Sequence, residues 1–519
     1  MRGGTLLLLW KSFRIFRLFC LRQDAIIMLK FIAGGGISME PKSSRTANNS
    51  RIINGIALGF SLAFLAASAA AAVYTGELGS VFHGWYMIMI SPCPLVTDYF
   101  AVGGLASALL NAGACGLACF AFMVLLKGES RANTLAGYFL VVAHCFYGLN
   151  FLNMWPCFLA PFLYLDDKGL NFKKNLHICM FSTSFAPFIS EFLFRYPSDT
   201  EYVFGQLQIS PYGAVLALFF SILLGYTVPV ILPGAQAWHK GYNLYNGGLA
   251  FGLFGFFLYN LLYETFGVPA AESITRGNPI YESFGRNYIH FSTVCLLSVF
   301  LICILAGWIL NGRTFRGYGA LLKDTGYASD FAEKYGMPVC LINIGCNGTL
   351  FLLYIKIITY ITEGAGFTGP TLGVILAALT FNAMGQHPRN VWPIILGYQL
   401  LYLVTLLSCT IHGREVAWSI STQAYINGAA FATGLCPVAG RYGVRAGMAA
   451  GFICAAMCTA TGGLHGGLVL YNGGFTAGIA ALILLPMLEH YMPAVRKEIK
   501  DQHIDWHAMI TLVGNEDEL

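Results

Sequence analysis

His239-Lys-Gly-Tyr-Asn-Leu-Tyr-Asn-Gly-Gly248 and His465-Gly-Gly-Leu-Val-Leu-Tyr-Asn-Gly-Gly474 carry one pattern, His-x-Gly-x3-Tyr-Asn-Gly-Gly, 226 positions apart (465 minus 239). Two further blocks repeat in the same order. Asp98, Asn111, Gly113 and Gly116 return as Asp330, Asn343, Gly345 and Gly348, displaced by 232 (330 minus 98). Thr134, Leu135, Gly148, Asn153, Trp155 and Pro156 return as Thr371, Leu372, Gly385, Asn390, Trp392 and Pro393, displaced by 237 (371 minus 134). Three ungapped blocks in one order mark an internal duplication. The spacing divides the chain into an N-terminal extension (1–53), a first repeat (54–265), a linker (266–290), a second repeat (291–491) and a tail (492–519).

Around these blocks the sequence is too apolar for water. Hydrophobic residues make up 56%, charged residues 11%, and the mean hydropathy is +0.63. A soluble chain carries about 25% charge, and a bilayer span needs about 20 apolar residues. Such runs recur along both repeats, so the fold class is all-α: a polytopic transmembrane helical protein of about ten to fourteen segments. Segment 155–165 is too short to cross comfortably. With 134–150 it reads either as a re-entrant hairpin broken at Asn153 and Pro156 or as two short tilted spans.

Either reading gives each half an odd number of crossings, which predicts that the second half is inverted. Loop charge tests this independently. With the N-terminus inside, cytoplasmic loops hold eighteen basic residues: Lys42, Arg45, Arg51, Lys127, Arg131, Lys168, Lys173, Lys174, Lys240, Arg313, Arg316, Lys323, Lys334, Arg441, Arg445, Arg496, Lys497 and Lys500. The outer loops hold four: Arg195, Arg276, Arg286 and Arg414. A cytoplasmic (inner) membrane location with both termini cytoplasmic follows. The loops at 76–97 and 362–369 are expected outside. The scattered charge, +5 overall, makes no patch for nucleic acid. The 15 Cys form no CxxC or metal-spaced cluster, so no metal or cofactor is expected. Residues 1–38 read as a basic amphipathic surface helix or, preferably, as upstream of the true start, because Gly34-Gly35-Gly36 before Met39 translates like a ribosome-binding site.

The candidate pathway residues come from the repeated blocks. Asn246 and Asn472 are expected to cap the helices that follow, with Gly247 and Gly473 letting other atoms approach the backbone. Such a helix start would turn its positive end toward a cavity lined by Tyr245, Tyr471, His239 and His465. Asn111 and Asn343 lie about ten residues into their spans and need hydrogen-bond partners. Asp98 and Asp330 precede those spans, as ionisable pathway groups or as ordinary residues at a helix N-terminus. Glu191 has no acidic counterpart in the second half. No nucleophile–base set, phosphate loop or His-Glu-x-x-His is present in the sequence, so an enzyme is not expected.

The twin Tyr-Asn-Gly-Gly motifs, with Thr97-Asp98-Tyr99 before Asn111-x-Gly-x-x-Gly116, resemble a bacterial family of multi-pass membrane proteins of unknown function. That resemblance implies a membrane location and no activity. A duplicated Tyr-Asn-Gly leading into a helix is more distantly similar to the urea transporter family, which implies two inverted halves with a pore on their symmetry axis. The Asn-Pro and Thr-Gly filter motifs of that family do not occur at Asn111 or Asn343. The expected function is a transporter or channel for a small polar solute resembling urea, an amide or ammonium. The alternatives are a proton- or cation-coupled carrier and, from another class, a membrane scaffold or lipid-acting enzyme. The expected partners are that solute and the lipid bilayer, with homo-oligomerisation left open.

Overall fold

Apolar runs of this length cannot leave backbone N–H and C=O groups to water, and the helix satisfies them locally. The computed structural model describes residues 42–126, 130–197, 202–270, 285–362, 367–493 and 495, and these contain helices and no strand. In the first half the elements are α1 (Lys42–Thr75), α2 (Val81–Ile90), α3 (Tyr99–Gly103), α4 (Leu105–Leu125), α5 (Ala132–His144), α6 (Met154–Leu159) and α7 (Pro161–Asp167). Then come α8 (Phe172–Ser182), α9 (Ala186–Phe194), α10 (Pro211–Trp238) and α11 (Asn246–Tyr259). The second half has α12 (Gly285–Leu310), α13 (Tyr318–Leu321), α14 (Phe331–Lys334), α15 (Met337–Ile361), α16 (Gly369–Ala377) and α17 (Pro388–Ile411). It ends with α18 (Gln423–Ala432), α19 (Cys436–Tyr442), α20 (Val444–Met457), α21 (Thr461–Leu464) and α22 (Asn472–Tyr491).

Among the described residues, eight helical stretches are long and apolar enough to cross a membrane. Several face outward with apolar side chains. Only 22% of the apolar window of α12 and 17% of that of α17 are buried within the protein. Leu301, Ile302 and Leu305 on α12, and Leu403 and Leu407 on α17, are exposed. A surface of this kind is suited to lipid and would be an aggregation liability in water.

The repeated blocks fold alike. Gly104 and Gly336 take φ of 87° and 88°, a region that L side chains rarely enter, and each separates a short helix from a long one. Asn111 on α4 donates to the carbonyls of Cys145 and Leu149, each at 2.9 Å. Asn343 on α15 donates to those of Asn382 and Gln386, at 2.9 and 2.7 Å. Both acceptor pairs are related by the displacement of 237 (382 minus 145, 386 minus 149). α5 and α16 span only about 20 and 14 Å at 1.5 Å per residue, so they stop in the interior, and each buried asparagine satisfies carbonyls just past such an end.

Several expectations are corrected. α1 begins at Lys42, twelve residues before the repeat boundary drawn at 54, and Asn49 within it is bonded to the second half: it accepts from Met337 N and donates to Ala332 O. The stretch 76–97 contains α2. The break after segment 134–150 falls at 145–153, before Pro156. Asn153 and Asn390 close their turns by donating to Gly148 O and Gly385 O. The halves then diverge, with α6 and α7 in the first opposite the single 24-residue α17 in the second. The readings of residues 1–38 lie outside the described residues.

α11 and α22 cross at glycine. A Cβ on Gly248 would stand 2.3 Å from the Gly474 carbonyl carbon and 2.5 Å from its Cα, both main-chain atoms that cannot rotate away. Gly248→Ala is expected to destabilise the protein by about 1–3 kcal/mol, as overpacking does. Gly234→Ala, where a Cβ meets nothing within 4 Å, should be neutral or slightly stabilising. Unfolding midpoints in one detergent compare the two, and an unchanged midpoint for Gly248→Ala would contradict the crossing.

Candidate functional site

Each Tyr-Asn-Gly-Gly motif follows a non-helical loop that begins at its histidine. In the first half His239 Nε2 meets Asn246 Oδ1 at 2.8 Å, and Asn246 Nδ2 donates to Leu232 O at 2.7 Å. That orientation of the amide makes Nε2 the donor and leaves Nδ1 to accept from Asn243 N, at 3.4 Å. In the second half His465 Nε2 meets Asn472 Oδ1 at 3.0 Å. The capping role expected of Asn246 and Asn472 is therefore wrong. Each is the first residue of its helix, no side chain caps α11 or α22, and the asparagine oxygen is engaged by the histidine instead. The His–Asn pair is a clamp that ties the end of one helical stretch to the start of the next.

The two loops interlock across the halves. Leu244 N donates to Gly434 O, and Leu470 N donates to Ser184 O, both at 2.9 Å. The donors are related by 226 (470 minus 244) and the acceptors by 250 (434 minus 184). The second relation marks a fourth repeat block that the sequence reading missed: Phe181-x-Thr183-x3-Pro187 against Phe431-x-Thr433-x3-Pro437. Each block carries a 3-10 turn between two helices, Thr183–Phe185 and Thr433–Leu435, and the turn exposes the carbonyl that the other half uses. The tyrosines follow the same exchange, with Tyr245 against Phe431 at 5.1 Å between ring centroids and Tyr471 against Phe181 at 6.4 Å. Gly473 leaves room for Phe431, whose Cβ would lie 2.5 Å from an added Cβ, and Gly247 sits against Phe251 and Leu232.

At this crossing the symmetry fails around the two tyrosine rings. Tyr245 stands edge-on to Phe381 at 4.8 Å, and its hydroxyl donates to Ala377 O at 2.5 Å. The positions equivalent to Phe381 and Ala377 in the first half are His144 and Leu140 (381 minus 237, 377 minus 237). His144 stacks on Tyr471 at 5.2 Å and 23°, and lies 6.1 Å and 13° from Phe431. Both ring nitrogens of His144, the hydroxyls of Tyr147 and Tyr471 and that of Ser184 are buried with no protein partner at hydrogen-bond geometry. The sequence reading passed over His144 because it is a lone histidine in an apolar run. Its signal was the mismatch with Phe381 inside an otherwise matching block.

The remaining candidates sit apart from this crossing. Asn111 and Asn343 hold the ends of α5 and α16 as described. Asp98 caps the short α3, accepting from Phe100 N at 2.8 Å, and reaches the second half by accepting from Gly369 N, the first residue of α16, at 3.2 Å. Asp330 caps α14 through Glu333 N and lines an open cavity of about 370 Å³ with Asp324, Thr325, Tyr327, Lys334 and Arg441. Burial pushes the Asp330 carboxyl up to about 6. Burial also pushes Asp324 up, but Lys334, the Gly326 amide and the Tyr335 hydroxyl outweigh it and hold the group below the ordinary carboxylate range. Glu191 is buried and chelated by Arg195, with contacts of 2.9 to 3.1 Å, and accepts from Tyr263. Its counterpart is Arg441 (191 plus 250), so one carboxylate position has a guanidinium as its pair. No group of three or more metal-ligating side chains occurs among the described residues.

Over residues 77–264 and 310–490 the chain matches the family described as protein of unknown function (DUF1576). The match falls in two parts, one in each half. No curated protein and no solved structure matches the chain.

The clamp makes a testable difference. If Asn246 holds His239, then Asn246→Ala and His239→Ala should be non-additive in a double-mutant cycle, with a coupling of about 0.5–1.5 kcal/mol as for one hydrogen bond. Detergent unfolding of the two single variants and the double variant measures it. Additive effects would return Asn246 to a capping role.

Proposed function

The chain belongs to the DUF1576 family, whose description carries no activity, and we propose that it passes a small polar solute across a membrane between two halves of opposite orientation. The observation that carries this is the crossing of α11 and α22. Along it Gly255 faces Val469, Gly252 faces Phe475, Gly248 faces Gly474 and Leu249 faces Gly478, so one helix runs forward as the other runs back. Two antiparallel helices exchanged by a two-fold have the axis across them, and α22 is long and apolar enough to cross a membrane. An axis in the membrane plane supports inverted repeats, the architecture in which solutes bind at the interface of the halves. Non-helical backbone at 241–245 and 467–471, buried in the interior, fits the rule that such backbone is tolerated only where protein or a pathway surrounds it. The loop charges add a bacterial inner membrane with cytoplasmic termini to the same reading.

The solute class that fits is small and polar, such as urea, a simple amide or ammonium. A coupled carrier is the second reading, favoured by Asp98, whose second carboxylate oxygen is buried with no protein partner. Uptake of a panel of these solutes into sealed proteoliposomes, with and without a proton gradient, tests both. Passive transport predicts flux indifferent to the gradient. Coupling predicts gradient-driven accumulation that Asp98→Asn abolishes while keeping an acceptor oxygen for Phe100 N and Gly369 N. Single cysteines at positions 129 and 365, in a background without reactive native cysteines, should be labelled from opposite sides of intact cells. Labelling from one side would remove the inversion.

A further inference from the structure

We propose that the solute is recognised on one side of the pseudo-two-fold axis only, by the His144 imidazole and the hydroxyls of Tyr147, Ser184 and Tyr471. The molecule they take is small, uncharged and both donor and acceptor of hydrogen bonds. This deepens the transport reading and rests on it.

The two tyrosines differ in what surrounds their hydroxyls. Around Tyr245 the protein completes its own hydrogen bonding: the hydroxyl has the Ala377 carbonyl, Gln386 Nε2 donates to Thr433 Oγ1 at 2.6 Å, and Phe381 closes the space. Around Tyr471 the equivalents of Thr433, Gln386 and Phe381 are Thr183, Leu149 and His144 (433 minus 250, 386 minus 237, 381 minus 237). Thr183 donates to Met180 O at 2.6 Å just as Thr433 donates to Ala430 O, so the two sides differ in the donor that Gln386 brings to Thr433 and not in the threonines themselves. Leu149 offers no polar side chain. The Leu140 carbonyl, which matches the acceptor used by Tyr245, is beside the His144 ring without closing a hydrogen bond of ordinary geometry, and so is the Leu470 carbonyl.

Four polar side chains at 0% (His144), 1% (Tyr147), 0% (Ser184) and 2% (Tyr471) exposure are thus left to something other than protein. Buried polar groups are ordinarily paired, and a cluster of exceptions at the meeting of two halves marks a place where a guest supplies the partners. The chemistry of the guest follows from the groups. A neutral imidazole presents one donor and one acceptor, and each hydroxyl presents both. The rings in contact with His144 are those of Tyr147, Phe431 and Tyr471, all uncharged. A formal charge placed there would be buried without a counter-charge, which is strongly unfavourable, whereas a neutral amide-like molecule would pair with the free nitrogens and hydroxyls.

The test uses the full chain in proteoliposomes, with radiolabelled urea and acetamide as neutral probes and methylammonium and acetate as charged ones. His144→Phe installs the residue that the second half already accommodates at Phe381, and Tyr471→Phe removes a single oxygen. Both should elute from size exclusion as wild type and lower neutral-probe flux per folded molecule at least tenfold. Tyr360→Phe, which removes one hydroxyl from a side chain that is 91% exposed, should leave flux within twofold. Wild-type flux in both His144→Phe and Tyr471→Phe would overturn the one-sided station while leaving transport in place. Movement of the charged probes but not the neutral ones would overturn the solute class. A wild-type protein that moves none of the four would remove the transport reading and this inference with it. If His144→Phe does not fold, Tyr471→Phe decides alone.

Discussion

Every backbone N–H and C=O at membrane depth must find a partner inside the protein, and the architecture follows from how that requirement is met where helices stop in the interior. α5 and α16 end among apolar side chains, and a buried asparagine from a neighbouring long helix satisfies two carbonyls just past each end. The turns at 183–185 and 433–435 each free a carbonyl, and the opposite half supplies the N–H. The polar residues of this chain are few, and most of those in the interior are committed to backbone groups that would otherwise be orphaned. The groups that escape this duty are therefore informative.

Much of the architecture was legible because duplication leaves its mark at positions with a strict geometric role. Gly113, Gly116, Asn111 and Asn153 repeat because helix contacts and broken helix ends tolerate few replacements. The Phe181-x-Thr183-x3-Pro187 block escaped because its displacement of 250 differs from the other three and only three of its seven positions are identical. Asn246 and Asn472 lie where the two halves cross, but they are not caps. Local propensity makes asparagine before a helix a cap, but a histidine seven residues upstream competes for the same oxygen, and only the folded loop shows which bond forms. His144 was invisible to a search for matches, since its significance lies in not matching.

Glu191 and Arg441 show the same logic away from the crossing. Equivalent positions carry opposite charge, and each has recruited its own surroundings: Arg195 and Tyr263 around the carboxylate, and the Tyr327 ring, 4.3 Å away, beneath the guanidinium. The core of the duplication keeps its symmetry because backbone hydrogen bonding demands it. Positions that make no backbone hydrogen bond to the other half were free to diverge, provided each found partners for its own charge. The second half also replaced two short helices with the long, lipid-facing α17.

The reciprocal bonds Leu244 to Gly434 and Leu470 to Ser184 carry a further consequence. Neither half completes its own interior, since each donates one of these bonds and accepts the other. A half-length ancestor built on the same contacts would have met this requirement only as a pair, and under the antiparallel arrangement the second copy would have been inserted upside down. Such a chain needs loop charges balanced finely enough to insert both ways. Under the proposed inversion, joining the two copies in one chain would release that constraint: each copy could fix its orientation with its own lysines and arginines, and one tyrosine could keep its carbonyl while the other gave it up.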